Sequence, residues 1–288
     1  MQINCFGDSL TAGTAFGNSL SYPAVLHRLT GLTVNNYGIG GENSMTIAVR
    51  MGALPLNAVF CAGRTSEFMD AGGKEGFSVT LRTDNDMTPG LLKQVKEDTG
   101  EDLVNPVTIL GHKGQLIRHK EQYYFIPDEP MEEIPGEVSV KTYLSGMDFS
   151  DDINIFWAGT NDYASMSNVD EVTDNIDRMI RFTASDRYLV IGLTAKEYMP
   201  ELTAVNEVLR HKYNSRFLDF HEYLVENAAT LDCIGLSSDD IETLKRGEMP
   251  DGLMKAPCYD HVHGNEKFFE MLGNRVYGKL LDLNYLTV

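Results

Sequence analysis

Apolar residues open the chain in a strand-length run. Gln2-Ile3-Asn4-Cys5-Phe6 stops at Gly7-Asp8-Ser9-Leu10 and the turn-prone Thr11-Ala12-Gly13-Thr14, which predicts a short strand ending in a sharp turn. In Tyr22-Pro23-Ala24-Val25-Leu26-His27-Arg28-Leu29 the apolar positions recur at helical spacing, and Gly31 supplies a stop. Thr33 to Tyr37 predicts a second strand running into Gly38-Ile39-Gly40-Gly41-Glu42-Asn43. A helix is expected from about Ser44 to Gly52, with Asn43 or Ser44 as its cap. Strand, helix, strand, helix is the rhythm of a parallel sheet covered by helices.

From about Leu54 to Phe149 the pattern changes. Short strand candidates crowd together: Phe77–Arg82, Val107–Leu110, Gln115–Arg118, Tyr123–Ile126 and Val138–Tyr143, separated by Gly111-His112-Lys113-Gly114, Pro127-Asp128 and Pro135-Gly136. Close spacing of that kind predicts a small antiparallel β module inserted into the α/β frame. The earlier rhythm then resumes. Ile153–Ala158 is almost wholly apolar, as a central parallel strand is, and ends in Gly159-Thr160-Asn161-Asp162. A helix over Val169–Thr183, a strand over Tyr188–Leu193, a helix over Glu201–Tyr213 and a strand over Arg216–Asp219 follow. Ser237 to Gly252 reads as polar loop, leading to Tyr259-Asp260-His261-Val262-His263-Gly264. The last helix, about Glu266 to Leu281, spaces Phe268, Phe269, Leu272 and Val276 along one face. The expected division is residues 1–53 with 150–288 as the α/β domain and 54–149 as the β-rich insert.

Composition narrows the function classes. With 42% hydrophobic and 23% charged residues in 288, the chain is of the ordinary globular type. No apolar run reaches the roughly 20 residues that a membrane helix needs, so no membrane insertion is expected. A net charge of −18 disfavours nucleic acid, whose phosphates call for clustered Lys and Arg. No leader-like segment precedes the first strand, so the expectation is a cytoplasmic protein, or a secreted one whose leader has been removed. Cys5, Cys61, Cys233 and Cys258 lack CxxC spacing and read as core or incidental thiols.

The candidate chemistry sits at strand ends. Ser9, Gly40-Gly41 and Asn161 each follow a predicted parallel strand, and successive parallel strands bring their carboxyl ends to one edge, where ligands bind. Asp260 and His263 add an acid and a base. Three residues apart, they would be roughly 10 Å distant in an extended chain but close in a turn. There the carboxylate can accept from the imidazole, fix its tautomer and stabilise its protonated form. Bland readings stand beside these. Asp8 caps or holds the turn, Asn161 forms a turn, and Trp157 and the aromatics of the last helix are core. His261 beside His263 lacks an obvious third metal ligand, so no metal is expected. His112, Lys113, Arg118, His119 and Lys120 form a basic cluster, read as a solvated hairpin face or a contact for an anionic substrate. Tyr123, Tyr124 and Phe125 could stack on sugar, although alternate members of a strand face the core. Gly38-Ile39-Gly40-Gly41 fails as a dinucleotide loop because Asn43 stands at the third glycine, and neither a P-loop nor the GxSxG elbow occurs.

Taken together, Gly7-Asp8-Ser9-Leu10 with Thr11, Gly41 within Ile39–Asn43, Gly159-Thr160-Asn161-Asp162 and Asp260-His261-Val262-His263 resemble the four blocks of the GDSL, or SGNH, hydrolase family. The resemblance covers about residues 1–53 and 150–288 and says nothing of the insert. It implies a flavodoxin-like three-layer α/β/α sandwich and ester hydrolysis with no cofactor. It further implies Ser9 as nucleophile, His263 as base and Asp260 as its orienting acid. The oxyanion donors would be the Ser9 and Gly41 N–H groups and the Asn161 side chain. Gly264 departs from the family, which often has Pro there. The substrate expected first is a carbohydrate O-acetyl or other short-acyl ester on a glycan or small molecule. A lysophospholipase- or thioesterase-type lipid acyl hydrolase is the alternative. From another class comes a glycan-binding or adhesion protein with an inert hydrolase frame.

Overall fold

The computed structural model describes residues 1–13, 20–61, 76–84, 87, 89, 105–119, 122–132, 136–228, 230, 235–256 and 260–286. Thr14, Lys120, Pro135, Cys233, Cys258 and Tyr259, and the side chain of His119, lie outside that description. The strands are β1 (Ile3–Gly7), β2 (Val34–Gly38), β3 (Leu56–Phe60), β4 (Phe77–Thr83), β5 (Pro106–Ile109), β6 (His112–His119), β7 (Gln122–Pro127), β8 (Gly136–Thr142), β9 (Ile153–Trp157), β10 (Tyr188–Ile191) and β11 (Phe217–Leu218). The helices are α1 (Ser9–Ala12), α2 (Tyr22–Thr30), α3 (Ser44–Met51), α4 (Val169–Thr183), α5 (Leu202–Tyr213), α6 (Phe220–Glu226), α7 (Ser238–Lys245) and α8 (Glu266–Asp282). The chain divides into two compact units, Met1–Ser44 with Phe149–Val288 and Met45–Asp148. That division falls at the start of α3, whereas the sequence pattern placed it after the helix.

In the first unit five parallel strands run in the order β11-β10-β9-β1-β2. Counted within the unit from the other edge, this is two-one-three-four-five, a doubly wound order whose direction reverses between β1 and β9. Both of those strands are buried along their whole length, which explains their near-continuous apolar sequence. On one side Ile3, Cys5, Ile153, Ile155 and Trp157 share a core with Leu26, Phe268, Leu272 and Val276. On the other, Phe6 stacks on Tyr37 and Phe156, with centroids 5.1 and 5.6 Å away. α2 and α8 approach closely because position 273 is glycine: a Cβ there would lie 2.5 Å from that of Val25.

A polar row fixes the register of the central strands. Asn4 pairs with Asn35 on β2 and Asn154 on β9. Asn35 Nδ2 donates to Asn4 Oδ1 at 2.8 Å, and Asn4 Nδ2 donates to Asn154 Oδ1 at 3.1 Å. A slip in register would take these partners from the buried amides of Asn4 and Asn154, at a cost of about 1–3 kcal/mol each.

The second unit holds a closed antiparallel barrel in the order β3-β4-β7-β6-β5-β8. Leu56, Ala58, Phe60, Val79, Leu81, Val107, Ile109, Leu116, Phe125 and Val140 are buried, each on the alternation expected of a strand. β3 is not among the strands expected above, although Leu56, Ala58 and Phe60 are buried in alternation along it. Tyr123 is buried and Phe125 fully so, which removes both as sugar-stacking faces; Tyr124 is half-buried. Gly114 allows β6 to pass close to β7, since a Cβ there would lie 2.3 Å from the Ile126 carbonyl oxygen.

Two helices replace expected loop or strand margins. α7 lies in the stretch read as polar loop; Ser237 and Asp240 form a reciprocal capping box at its start. α6 begins at the end of β11, where Asp219 accepts the Glu222 N–H at 2.9 Å. Among the described residues no helix is long and apolar enough to cross a membrane.

Candidate active site

Ser9 stands where β1 turns into α1, at the carboxyl edge beside the point of strand-order reversal. Gly7 makes that exit possible: a Cβ there would lie 2.2 Å from Thr11 Oγ1 and 2.6 Å from the Trp157 carbonyl oxygen. Asp8 caps α1, its Oδ1 accepting the Leu10 N–H at 2.8 Å. The helix lasts one turn, ends at Gly13 with φ of 68°, and leaves Ser9 half-buried.

His263 arrives from the segment before α8. Asp260 Oδ1 accepts the N–H groups of Val262 at 3.0 Å and His263 at 2.8 Å, which curls the chain into a turn with His261 at φ 55°. That turn sets Asp260 Oδ2 2.6 Å from His263 Nδ1. His263 Nε2 in turn lies 2.8 Å from Ser9 Oγ. With Nδ1–H donating to the carboxylate, the Nε2 lone pair faces the Ser9 hydroxyl. Burial pushes the Asp260 carboxyl up, but hydrogen bonds from the His263 ring and backbone and from Val262 outweigh it, so the net direction is below the ordinary carboxylate range. Asp260 is therefore held as an anion against the imidazole. The neighbouring His261 points elsewhere, its Nδ1 lying 3.3 Å from the Met249 carbonyl oxygen.

Glycine at position 264 has a steric reason. A Cβ at this position would come within 2.3 Å of the Phe268 ring, and Phe268 is fully buried. Its carbon would displace a core ring, so the pyrrolidine of proline does not fit here.

The Gly40-Gly41 turn lies beside Ser9. A Cβ at Gly40 would be 3.8 Å from that of Ser9, and Gly41 has φ of 75°. Asn161, at the end of β9, reaches the same place but is engaged within the protein. Its Nδ2 donates to the Glu42 carbonyl at 2.8 Å and to Asp8 Oδ2 at 3.3 Å. The side chain that the family resemblance implies as an oxyanion donor thus makes both of these bonds within the protein. Next to it, Asp162 accepts both the N–H and the hydroxyl of Ser44, at 2.8 and 2.6 Å. Asn175 Nδ2 donates to the same hydroxyl at 3.0 Å. Asn161 and Asp162 together therefore clamp the loop that carries Gly41.

Asp8 has more than a capping environment. It is buried next to Asp162 and Glu42, and its pKa is pushed up to about 7, first by burial, then by those two charges, against the hydrogen bond from Leu10. Sequence reasoning assigned it no role beyond the turn, and missed the Asp162–Ser44 clamp. The only signal for the clamp was the unbroken Asn161-Asp162 pair following a strand end.

A cleft of about 660 Å³ belongs to the β unit, where Leu54, Pro106, Thr108, Lys113, Lys141 and Tyr143 line it. Of the basic cluster, His112 and Lys113 line a smaller cavity of about 280 Å³ together with Asp128 and Glu129.

No family model matches the chain, and no curated protein matches it. Solved structures do. One is a lipolytic protein of the G-D-S-L family from Desulfitobacterium hafniense DCB-2, 12% identical, with a TM-score of 0.47 over 97% of this chain and 99% of that one. Another is AlinE4, an SGNH-hydrolase family esterase, 16% identical, with a TM-score of 0.35 over 98% of this chain and 95% of that one.

Proposed function

We propose that the chain is a serine carboxylic ester hydrolase of the GDSL/SGNH type, built on a flavodoxin-like three-layer frame, and that it removes short acyl groups, acetyl above all, from a carbohydrate. The observation that carries the proposal is the continuous hydrogen-bonded series from Asp260 through His263 to Ser9, with bonds of 2.6 and 2.8 Å. A hydroxyl, an imidazole and an orienting carboxylate in that order are what acyl transfer requires of a protein.

In this reading His263 Nε2 takes the Ser9 proton as Oγ attacks the ester carbonyl, and Asp260 stabilises the imidazolium that forms. The carbonyl oxygen becomes an oxyanion. The Ser9 N–H, first in α1, and the Gly41 N–H supply donors, and Asn161 Nδ2 exchanges its long bond to Asp8 for a bond to the oxyanion. Losing one such donor costs about 3–4 kcal/mol of transition-state stabilisation. His263 returns its proton to the leaving alcohol and the acyl-Ser9 ester is left. Water, deprotonated by the same imidazole, then releases the acid. None of these steps calls on a metal or an organic cofactor.

The test is hydrolysis of acetylated glycans and of acetate and long-chain p-nitrophenyl esters by the wild type and Ser9→Ala. Acetyl release that falls on the order of 10⁶-fold in Ser9→Ala is expected, as in other serine triads. Near-wild-type turnover by the variant would remove the proposal. A preference for long acyl chains would replace the carbohydrate ester with a lipid one.

A further inference from the structure

Tyr163 and Tyr198 stack on each other in the open. Their centroids are 5.6 Å apart at an interplanar angle of 18°, yet Tyr163 is 59% and Tyr198 50% exposed, and Met166, in the same loop as Tyr163, is 49% exposed. Tyr163 also has φ of 49°. The left-handed region is uncommon for non-glycine residues and a genuine outlier for a bulky one. A buried ring could repay that strain through packing. A ring more than half in solvent does not.

The pair occupies the edge that carries the proposed chemistry. Tyr163 is two residues past Asn161, hence within about 7 Å of it along the chain, and Asn161 bonds the residue preceding Ser9. Tyr198 lies in the loop that leaves the carboxyl end of β10, the strand next to β9. Both loops are held. The Tyr163 N–H donates to the Thr160 carbonyl at 3.2 Å and the Tyr198 N–H to the Ala195 carbonyl at 3.1 Å. Across the two loops the Met166 N–H donates to Glu201 Oε2 at 2.7 Å. The rings are thus presented on tethered backbone.

Resting on the esterase reading, the geometry points to the Tyr163–Tyr198 pair as a stacking platform for a pyranose ring of the substrate, on the alcohol side of the scissile ester. The chemistry of the surface selects this occupant. An aromatic face is electron-rich and takes C–H groups that carry partial positive charge. A pyranose offers such a C–H face, with hydroxyls at its rim that stay hydrated. The same two loops carry polar side chains within four residues of the rings: Ser165 and Ser167, whose hydroxyls lie 2.8 Å apart, and Glu201, which accepts the Met166 N–H. A long alkyl chain asks instead for a concave apolar wall that removes most of its surface from water, and a half-exposed flat pair does not supply one.

The experiment compares wild type, Tyr163→Ala, Tyr198→Ala and Tyr163→Gly on two acetate esters: a partly O-acetylated cello-oligosaccharide and ethyl acetate, which has no ring to stack. Expected is a loss of about tenfold in kcat/KM on the oligosaccharide for each ring removed, mostly in KM, with ethyl acetate hydrolysis within twofold of wild type. For Tyr163→Gly the melting temperature should hold or rise, because glycine relieves the positive φ, while the oligosaccharide KM still increases. Equal losses on both esters, or no loss on either, would overturn the platform. If the wild type hydrolyses neither ester, the esterase reading fails separately. The platform is then judged by binding of unesterified cello-oligosaccharide, followed by NMR titration. Binding by wild type that Tyr163→Ala abolishes supports it, and absence of wild-type binding overturns it.

Discussion

Asp162 holds Ser44 with both carboxylate oxygens, taking the hydroxyl at Oδ1 and the backbone N–H at Oδ2. Burial pushes this carboxyl upward and the two Ser44 bonds pull it back, with a net rise. The contact ties the end of β9 to the loop that carries Gly41, 118 positions away from Asp162 at its Ser44 end. Asp162→Ala is therefore expected to leave two donors without their acceptor and to destabilise the protein by about 1–3 kcal/mol. If Gly41 is an oxyanion donor, kcat should fall on the order of 10- to 100-fold with little change in KM, since a misplaced donor acts on the transition state. Asp162→Asn, which can still accept the Ser44 N–H, should recover most of both losses. Thermal melts and steady-state kinetics on an acetate ester measure the two effects, and an unchanged kcat in Asp162→Ala would separate the clamp from catalysis.

How legible this was in the chain depends on range. The parallel strands and their helices could be read because each is a local pattern: Val169–Thr183 has its helical spacing whether or not it packs, and the Ile153–Trp157 run is apolar because both sides are covered. The approach of Ser9 and Asn161 could be anticipated from the rule that parallel strands share a carboxyl edge, whereas His263 follows no sheet strand and its place beside Ser9 was implied only by the family resemblance. Burial could not. Nothing near Asp8 in sequence shows that Asn161, Glu42 and Asp162 surround it, since those neighbours arrive from other strands. The Tyr163–Tyr198 stack was likewise invisible, because positive φ and ring contact are properties of two loops brought together. α7 was missed for a different reason: its capping box uses Asp at the third position, where Glu or Gln is the usual signal.

Asp260 is bound by three donors, two from the backbone and one from the His263 ring. Asp260→Asn keeps the shape and can keep the backbone bonds, but its amide presents N–H to the ring and favours the tautomer with Nε2 protonated. Such a ring cannot accept the Ser9 proton. The expected outcome is a loss in kcat of about 10⁴-fold, by analogy with other triads, with a far smaller change in melting temperature. A change of less than tenfold on an acetate ester would show that the carboxylate does not set the tautomer.

Gly264 offers a stability test that does not depend on the function. Introducing Ala or Pro there puts carbon against the buried Phe268 ring, with the nearest approach at 2.3 Å. The ring is walled by Phe220 and Phe269, with centroids 5.2 and 5.5 Å away, so it has little room to give. Overpacking of this kind costs about 1–3 kcal/mol. Urea titration should show Gly264→Ala and Gly264→Pro shifted to lower midpoints. A proline variant as stable as wild type would mean that the ring moves freely.

Asp8 sets a pH dependence of stability. Unfolded, its carboxyl titrates near 3.8; folded, it holds its proton to about 7. Between those values the folded protein binds more protons at this position than the unfolded chain does, so stability falls as pH rises through the window. The contribution is fully present below the unfolded value and lost by the time pH passes the folded one. A rise of that size corresponds to on the order of 4 kcal/mol, a sizeable share of the 5–15 kcal/mol typical of a folded domain. Asp8→Asn removes the titration while keeping a good helix cap. The unfolding free energy of wild type relative to Asp8→Asn should accordingly decline between pH 4 and pH 8, by several kcal/mol at most, as read from urea titrations across that range. A difference that stays flat, or that grows with pH, would mean that Asp8 is ionised in the folded protein throughout.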